Sequence, residues 1–203
     1  MIRLFSDKKA RELIEREGDW IATVSERYGV PCAVIQAMLF QEMTMSDALD
    51  PFADFVAWLG VFPKKDSSTG FAQVFGHVGL NAVNFAIDRG LATYESLGFD
   101  VDHRLDPDNR KDVRMVWKKL HHDPKANIEI ATLNLLAAAD EVVGRIDFDS
   151  FTPDELKLVF SRYNANVRHI TAYGEKAYRH YEAFQSGLEP PTAKTSRYNS
   201  LMK

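Results

Sequence analysis

Cysteine is nearly absent: Cys32 is the only one in 203 residues. An intrachain disulfide and a cysteine metal cluster are both excluded. Lying in an apolar stretch, Cys32 reads as a small buried hydrophobe. Long apolar runs are missing too, since nothing approaches the roughly 20 residues that a bilayer-spanning helix needs. Positive charge is not in excess: 25 Lys and Arg stand against 29 Asp and Glu, a net charge of −4. With a pI of about 5.9, the chain lacks the basic balance of a nucleic-acid binder. The first residues, Met1-Ile2-Arg3-Leu4-Phe5-Ser6-Asp7, have neither the apolar run nor the small-residue cleavage site of a signal peptide, so no general secretion signal is expected. The histidines show no ligand spacing with a third partner, and neither a metal nor another cofactor is expected.

What remains is an ordinary soluble composition, 45% apolar and 27% charged. The length suggests one domain over residues 1–185, followed by a polar tail at 186–203. Apolar residues recur at helical spacing along most of the chain. Ser6 is a candidate N-cap for a helix with Ala10, Leu13 and Ile14 on its apolar face. Gly18 interrupts it, and Asp19 can cap a second helix that Gly29 closes. Residues 51–59 read as a short helix after a loop carrying Asp47 and Asp50. Leu80, Val83 and Ile87 suggest another, closed by Arg89-Gly90. Pro107 and Pro124 are candidate helix starts, and residues 128–139 are apolar on most sides, as a central helix would be. Thr152-Pro153-Asp154-Glu155 has the form of a capping box. A last helix is expected over residues 167–184. The fold class is mainly α, with at most a small β element near residues 70–75.

Residues 29–43 are the most unusual stretch. Pro31 suits a first helical position, where a missing N–H costs nothing. Val34, Ile35, Met38 and Leu39 fall at helical spacing, and Ala33, Ala37 and Phe40 fill most of the rest. A helix apolar nearly all round belongs in a core. Glu42 stands at its end. Burying a carboxylate without a partner is costly, and the usual response is a raised pKa. A carboxylic acid kept protonated near neutral pH is what a general acid requires. The alternative is that Glu42 is simply the first exposed residue past the buried turns.

Two further stretches accompany it. One is Ser68-Thr69-Gly70-Phe71-Ala72-Gln73-Val74; the other is Arg162-Tyr163-Asn164-Ala165-Asn166, with Tyr173-Gly174 shortly after. In this order and at these separations, the three resemble the lysozyme-like lytic transglycosylases and goose-type lysozymes (SLT-type domains), over residues 19–184. That family carries a catalytic Glu ending a buried helix, a Gly-Leu-Met-Gln type motif and an Ala-Tyr-Asn-x-Gly type motif. The turn Tyr28-Gly29-Val30-Pro31 and the helix from Asn127 are similar to the family as well. The resemblance implies a lysozyme-like helical domain that cleaves the β-1,4 bond between N-acetylmuramic acid and N-acetylglucosamine, with peptidoglycan glycan strands as its partner. It implies Glu42 as the acid and later the base. Gly70, Phe71 and Gln73 would contact substrate, Tyr163 would bond or pack beside Glu42 and orient it, and Asn164 would shape the same wall. Departures from the pattern are Met43, where the family usually has Ser, and Asn166, where the last motif has Gly.

Two chemistries stay open. In a lytic transglycosylase the muramic acid's own 6-hydroxyl attacks, giving a 1,6-anhydro product without a second acid. A hydrolytic muramidase of the inverting type needs a base across the sugar. Asp66 stands close to where goose-type lysozymes place an acid, and Asp47, Asp50 and Asp54 are further candidates. A non-catalytic glycan-binding protein on the same fold is a third reading. Trp58, Phe71, Phe75 and Tyr173 are candidates to line a sugar cleft. The substrate implies the cell envelope or the extracellular space, in conflict with the absent signal.

Overall fold

The structure, a computed structural model, describes residues 5–45 and 68–188. Within them the chain forms eight α-helices and one two-stranded hairpin, so the mainly α expectation holds. Helix α1 (Asp7–Arg16) starts where Ser6 accepts a hydrogen bond from the Lys9 N–H at 3.2 Å. Helix α2 (Gly18–Tyr28) ends at Gly29 in left-handed backbone. Its start differs from expectation: Asp19 lies inside the first turn instead of capping it. An acid is favoured there by the helix dipole without making a cap. Helix α3 (Cys32–Met45) follows Pro31, whose carbonyl accepts from the Val34 and Ile35 N–H groups at 2.9 and 3.3 Å. Cys32 is only half-buried, packed against the rim of the core.

Strands β1 (Ser68–Thr69) and β2 (Val74–Phe75) pair antiparallel, Ser68 opposite Phe75 and Thr69 opposite Val74. The β element therefore brackets residues 70–73 instead of filling them. Helix α4 (Gly76–Asp88) ends at Arg89-Gly90 as the sequence suggests. Helix α5 (Arg110–His122) begins at Asn109, which accepts from the Lys111 N–H at 3.0 Å; Pro107 lies in the turn before it. Helix α6 (Pro124–Val143) has Pro124 in its first turn behind the Asp123 cap. Helix α7 (Pro153–Asn164) opens on the Thr152–Glu155 capping box. Helix α8 (Ala172–Gln185) starts later than its apolar spacing implies, because Thr171 caps it by accepting from the Gly174 N–H at 3.3 Å. Ile170 is left exposed on the connection before it. The helix expected over 51–59 and the tail at 189–203 lie outside the described residues. No described helix is long and apolar enough to cross a membrane.

Two helices form the centre. Helix α3 packs against α1, α2 and α8, while α6 packs against α4, α5 and α7. Their side chains share one apolar core, in which Ile35, Met38, Phe40, Ile128 and Leu133 have at most 1% of their surface exposed. Each such side chain contributes about 1.5–3 kcal/mol on burial.

The hairpin is tied to this core by side chains from three helices. Asn127, fully buried on α6, donates to the Thr69 carbonyl at 3.0 Å and accepts from the Ala72 N–H at 2.9 Å. Tyr163 on α7 donates to the Ala72 carbonyl at 2.9 Å. Thr69 Oγ1 and His121 Nδ1, at the end of α5, are hydrogen-bonded at 2.8 Å. Gly70 is what lets Asn127 reach across: it has a φ of +74°, and a Cβ there would lie 2.1 Å from the Asn127 amide nitrogen. Asn127→Ala leaves a buried N–H and a buried carbonyl without these partners. It is expected to lower stability by about 2–4 kcal/mol, read from denaturant unfolding; a loss near zero would mean that the hairpin does not depend on this clamp.

Candidate active site

The apolar character of α3 carries Glu42 to the boundary between the core and a surface cleft. Gln41 and Met43 on either side are buried, whereas Glu42 is half-buried and lines the cleft. Helix α8 brings Tyr173 to it, and the Tyr173 hydroxyl donates to Glu42 Oε1. Burial raises the Glu42 pKa from its ordinary 4.5 to about 7, against the opposing effect of the Tyr173 hydrogen bond. Tyr173 and Tyr163 are both held well above the usual phenol range, first by burial and then by the Glu42 charge. Both phenols are therefore neutral donors near Glu42. Such an acid, still substantially protonated at neutral pH and open to a cleft, has the properties of a general acid.

The walls of the cleft come from the hairpin, α4, α6 and α7. Ser68, Gln73, Val74 and Phe75 line it from the hairpin, and Tyr163 with Asn164 from α7. Gln73 is the single non-glycine residue with positive φ among those described, at 47°. Its side chain folds back on the turn, donating to the Gly70 carbonyl at 2.9 Å and accepting from Ser68 Oγ at 3.1 Å. An amide has two donors and two acceptor positions, so each end of Gln73 keeps capacity for a ligand. Backbone strain of this kind costs of order 1–3 kcal/mol and concentrates at functional sites.

No family model, no curated protein and no solved structure matches this chain.

The cleft brings together Glu42, Gln73, Phe75, Tyr163 and Asn164, five of the candidate residues singled out in the sequence. Gly70, Phe71 and Tyr173 are not among its lining residues. Phe71 leaves the turn toward α1, where the Arg16 guanidinium carbon lies 5.9 Å from its ring centre. Gly70 provides clearance for Asn127, as its missing Cβ shows, and not a contact surface. Tyr163 packs near Glu42 while its hydroxyl bonds to the hairpin, so the direct bond to Glu42 falls to Tyr173. Asp66, Asp47, Asp50, Asp54 and Trp58 lie outside the described residues. Met43 is buried with 2% exposure, away from the cleft. Asn166 keeps a negative φ, so glycine's conformational freedom is not needed there.

Three residues of the cleft lining, Met45, Val78 and Asn134, had not been anticipated, and Asn134 is the polar one. Asn134 lines the cleft from α6. Its signal was present: an amide within a run of Ile128, Ile130, Ala131, Leu133, Leu135 and Leu136, all of them buried. Among the described residues, no group of three or more His, Cys, Asp and Glu is placed to hold a metal ion.

The Glu42 shift has a stability consequence of definite sign. A carboxyl whose folded pKa is raised contributes stability that is fully present below the unfolded pKa and lost as pH rises through the folded one. For Glu42 that window runs from 4.5 to beyond about 7. Relative to wild type, Glu42→Gln should therefore gain about 3 kcal/mol on going from about pH 4 to about pH 8, measured by urea unfolding at both pH values. Tyr173→Phe removes the interaction that opposes the shift, so carbon-13 NMR titration should find the Glu42 carboxyl above its wild-type value. A lowered value would mean that the Tyr173 hydrogen bond favours the protonated carboxyl instead of opposing the shift.

Proposed function

We propose that this protein cleaves the glycan strands of peptidoglycan between N-acetylmuramic acid and N-acetylglucosamine, with Glu42 as its acid/base. The carrying observation is a Glu42 carboxyl with a pKa of about 7 that faces a cleft and accepts a hydrogen bond from Tyr173. The motif order along the chain adds to it.

Glu42 gives its proton to the glycosidic oxygen as the bond breaks and the sugar takes on oxocarbenium character. Tyr173 holds the carboxyl in place and stabilises the carboxylate left behind, since a phenol bonds more strongly to the charged form. Gln73, Asn134 and Asn164 offer amide donors and acceptors to the hydroxyl and acetamido groups on either side of the bond. The ionised Glu42 then takes a proton from the attacking hydroxyl. In a transglycosylase this is the muramic acid 6-hydroxyl, and the 1,6-anhydro sugar closes. In a hydrolase it is water, held by a second carboxylate. Among the described residues, Glu42 is the one carboxylate of the cleft lining, and Glu141, in the adjoining cavity, is engaged by Arg162 at 2.6 Å. That favours the transglycosylase chemistry among the described residues; Asp66 is the muramidase alternative.

Incubation with peptidoglycan followed by mass spectrometry of the soluble products tests the reading. Anhydromuropeptides are expected, and products heavier by one water would make the protein a muramidase. Glu42→Gln should lower the cleavage rate by about 10²–10⁴-fold while the protein still binds strands. An inactive wild type that binds glycan would make it a glycan-binding protein instead.

A further inference from the structure

The cleft does not stop at Glu42. It shares Phe75, Val78, Asn134, Tyr163 and Asn164 with a trough that runs on between α4, α6 and the end of α7. Four side-chain amides line this trough: Asn81, Asn134, Asn164 and Asn166. None of the four is used in a side-chain hydrogen bond of the described structure. Ala82, Ala137 and Ala138 give it an apolar floor, and the Phe75 ring, 39% exposed, stands at the junction of trough and cleft. Free amides over a smooth apolar floor, with an exposed ring, suit an uncharged polyhydroxylated chain: amides meet hydroxyls, and apolar surface meets C–H faces.

The far end of the trough is different. Glu141 on α6 is held by Arg162, in the last turn of α7, at 2.6 Å. Arg168, on the connection before α8, lies 3.7 Å from the other oxygen of the same carboxylate and keeps 75% of its side-chain surface exposed. Two guanidinium groups thus share one carboxylate, which leaves one positive charge uncompensated. Arg162 depresses the Glu141 pKa first and Arg168 adds to it, so that carboxylate stays ionised and the net charge of the cluster persists across neutral pH. A guanidinium fork with free donors is matched to a carboxylate.

We infer that the trough holds a further stretch of glycan and that its Arg162–Arg168 end receives a carboxylate carried by that glycan. The inference rests on the glycan reading of the cleft and adds to it a preference for acidic over neutral strands, with a defined location. The carboxylate chemistry is that of a free lactyl group or of a peptide stem, and both sources are separable by experiment.

The test uses three glycan preparations of equal length: strands with intact peptide stems, strands stripped of peptides so that the lactyl carboxylates are free, and stripped strands whose carboxylates have been converted to neutral methylamides. Binding is measured calorimetrically on Glu42→Gln, which prevents turnover, and cleavage on the wild type. One or both acidic preparations should bind about fivefold more tightly than the neutral one, the scale of a single partly exposed ion pair, with the preference shrinking as salt rises. The acidic strand that shows the preference identifies the source. Adding Arg168→Glu reverses the sign of the cluster and should abolish that preference while leaving neutral-strand affinity unchanged; Arg168→Lys should retain it. Arg168 is exposed, and thermal unfolding of each variant checks that the fold is intact. Equal affinity for all three strands, or a preference untouched by Arg168→Glu, overturns the inference and leaves the cleavage reading standing. No binding and no cleavage of any strand overturns the cleavage reading and the inference together.

Discussion

A carboxylic acid at the end of a helix with almost no polar surface imposes demands on everything around it. Helix α3 is buried by α1, α2 and α8 because nearly every side chain it carries is apolar. Glu42 emerges where that burial gives way to the cleft, so it is desolvated enough to hold its proton and still reachable. The compensating hydrogen bond comes from Tyr173, 131 residues further along the chain. Its placement depends on how closely α8 lies against α7. Gly174 sets that approach: a Cβ at this position would meet Ser161 Oγ at 2.1 Å and the Lys157 carbonyl at 2.3 Å. Ser161 in turn accepts from the Thr171 N–H at 2.9 Å, which fixes the start of α8. The edge of Phe40 against the His180 ring, at 4.8 Å, completes the α3–α8 contact.

The hairpin wall is built by a different means. Two strands of two residues each have little stability of their own, since an isolated hairpin is marginal even when much longer. Here Asn127, Tyr163 and His121 satisfy the hairpin from outside. Ala72 has its N–H bound by α6 and its carbonyl by α7, so the turn cannot drift relative to the helices that carry Tyr163 and Asn134. The strained Gln73 backbone is tolerated within this cage. A cleft whose walls are fixed before substrate arrives loses less freedom on binding, which suits chemistry that depends on positioning a proton donor.

Local structure was largely legible. The Ser6 cap, the Gly29 and Gly90 stops, the Pro124 start and the Thr152–Glu155 capping box all lie where residue type suggests, because each is a contact between residues three or four apart. Where two local signals competed, periodicity lost to capping. Apolar spacing alone started α8 near Val167, but Thr171 supplies the cap and the chain before it turns. Pro107 lost to Asn109 in the same way, since only the asparagine side chain reaches a helical N–H. Phe71 was singled out by its place in the motif, which carries no information about direction; in the folded turn its ring lies beside Arg16 of α1.

The sequence by itself determined that the domain is mainly helical, that α3 and α6 are central, and that Glu42 would meet an apolar environment. These follow from composition and from contacts within a helix turn, which the order of residues encodes directly. Tertiary structure alone decided that Tyr173 and not Tyr163 bonds to Glu42, that Asn127 clamps the hairpin, that Asn134 faces the cleft, and that Arg162 and Arg168 converge on Glu141. Those contacts join segments that share no local period. Which side chains meet is set by helix crossing and close approach, and these emerge only when the whole core packs.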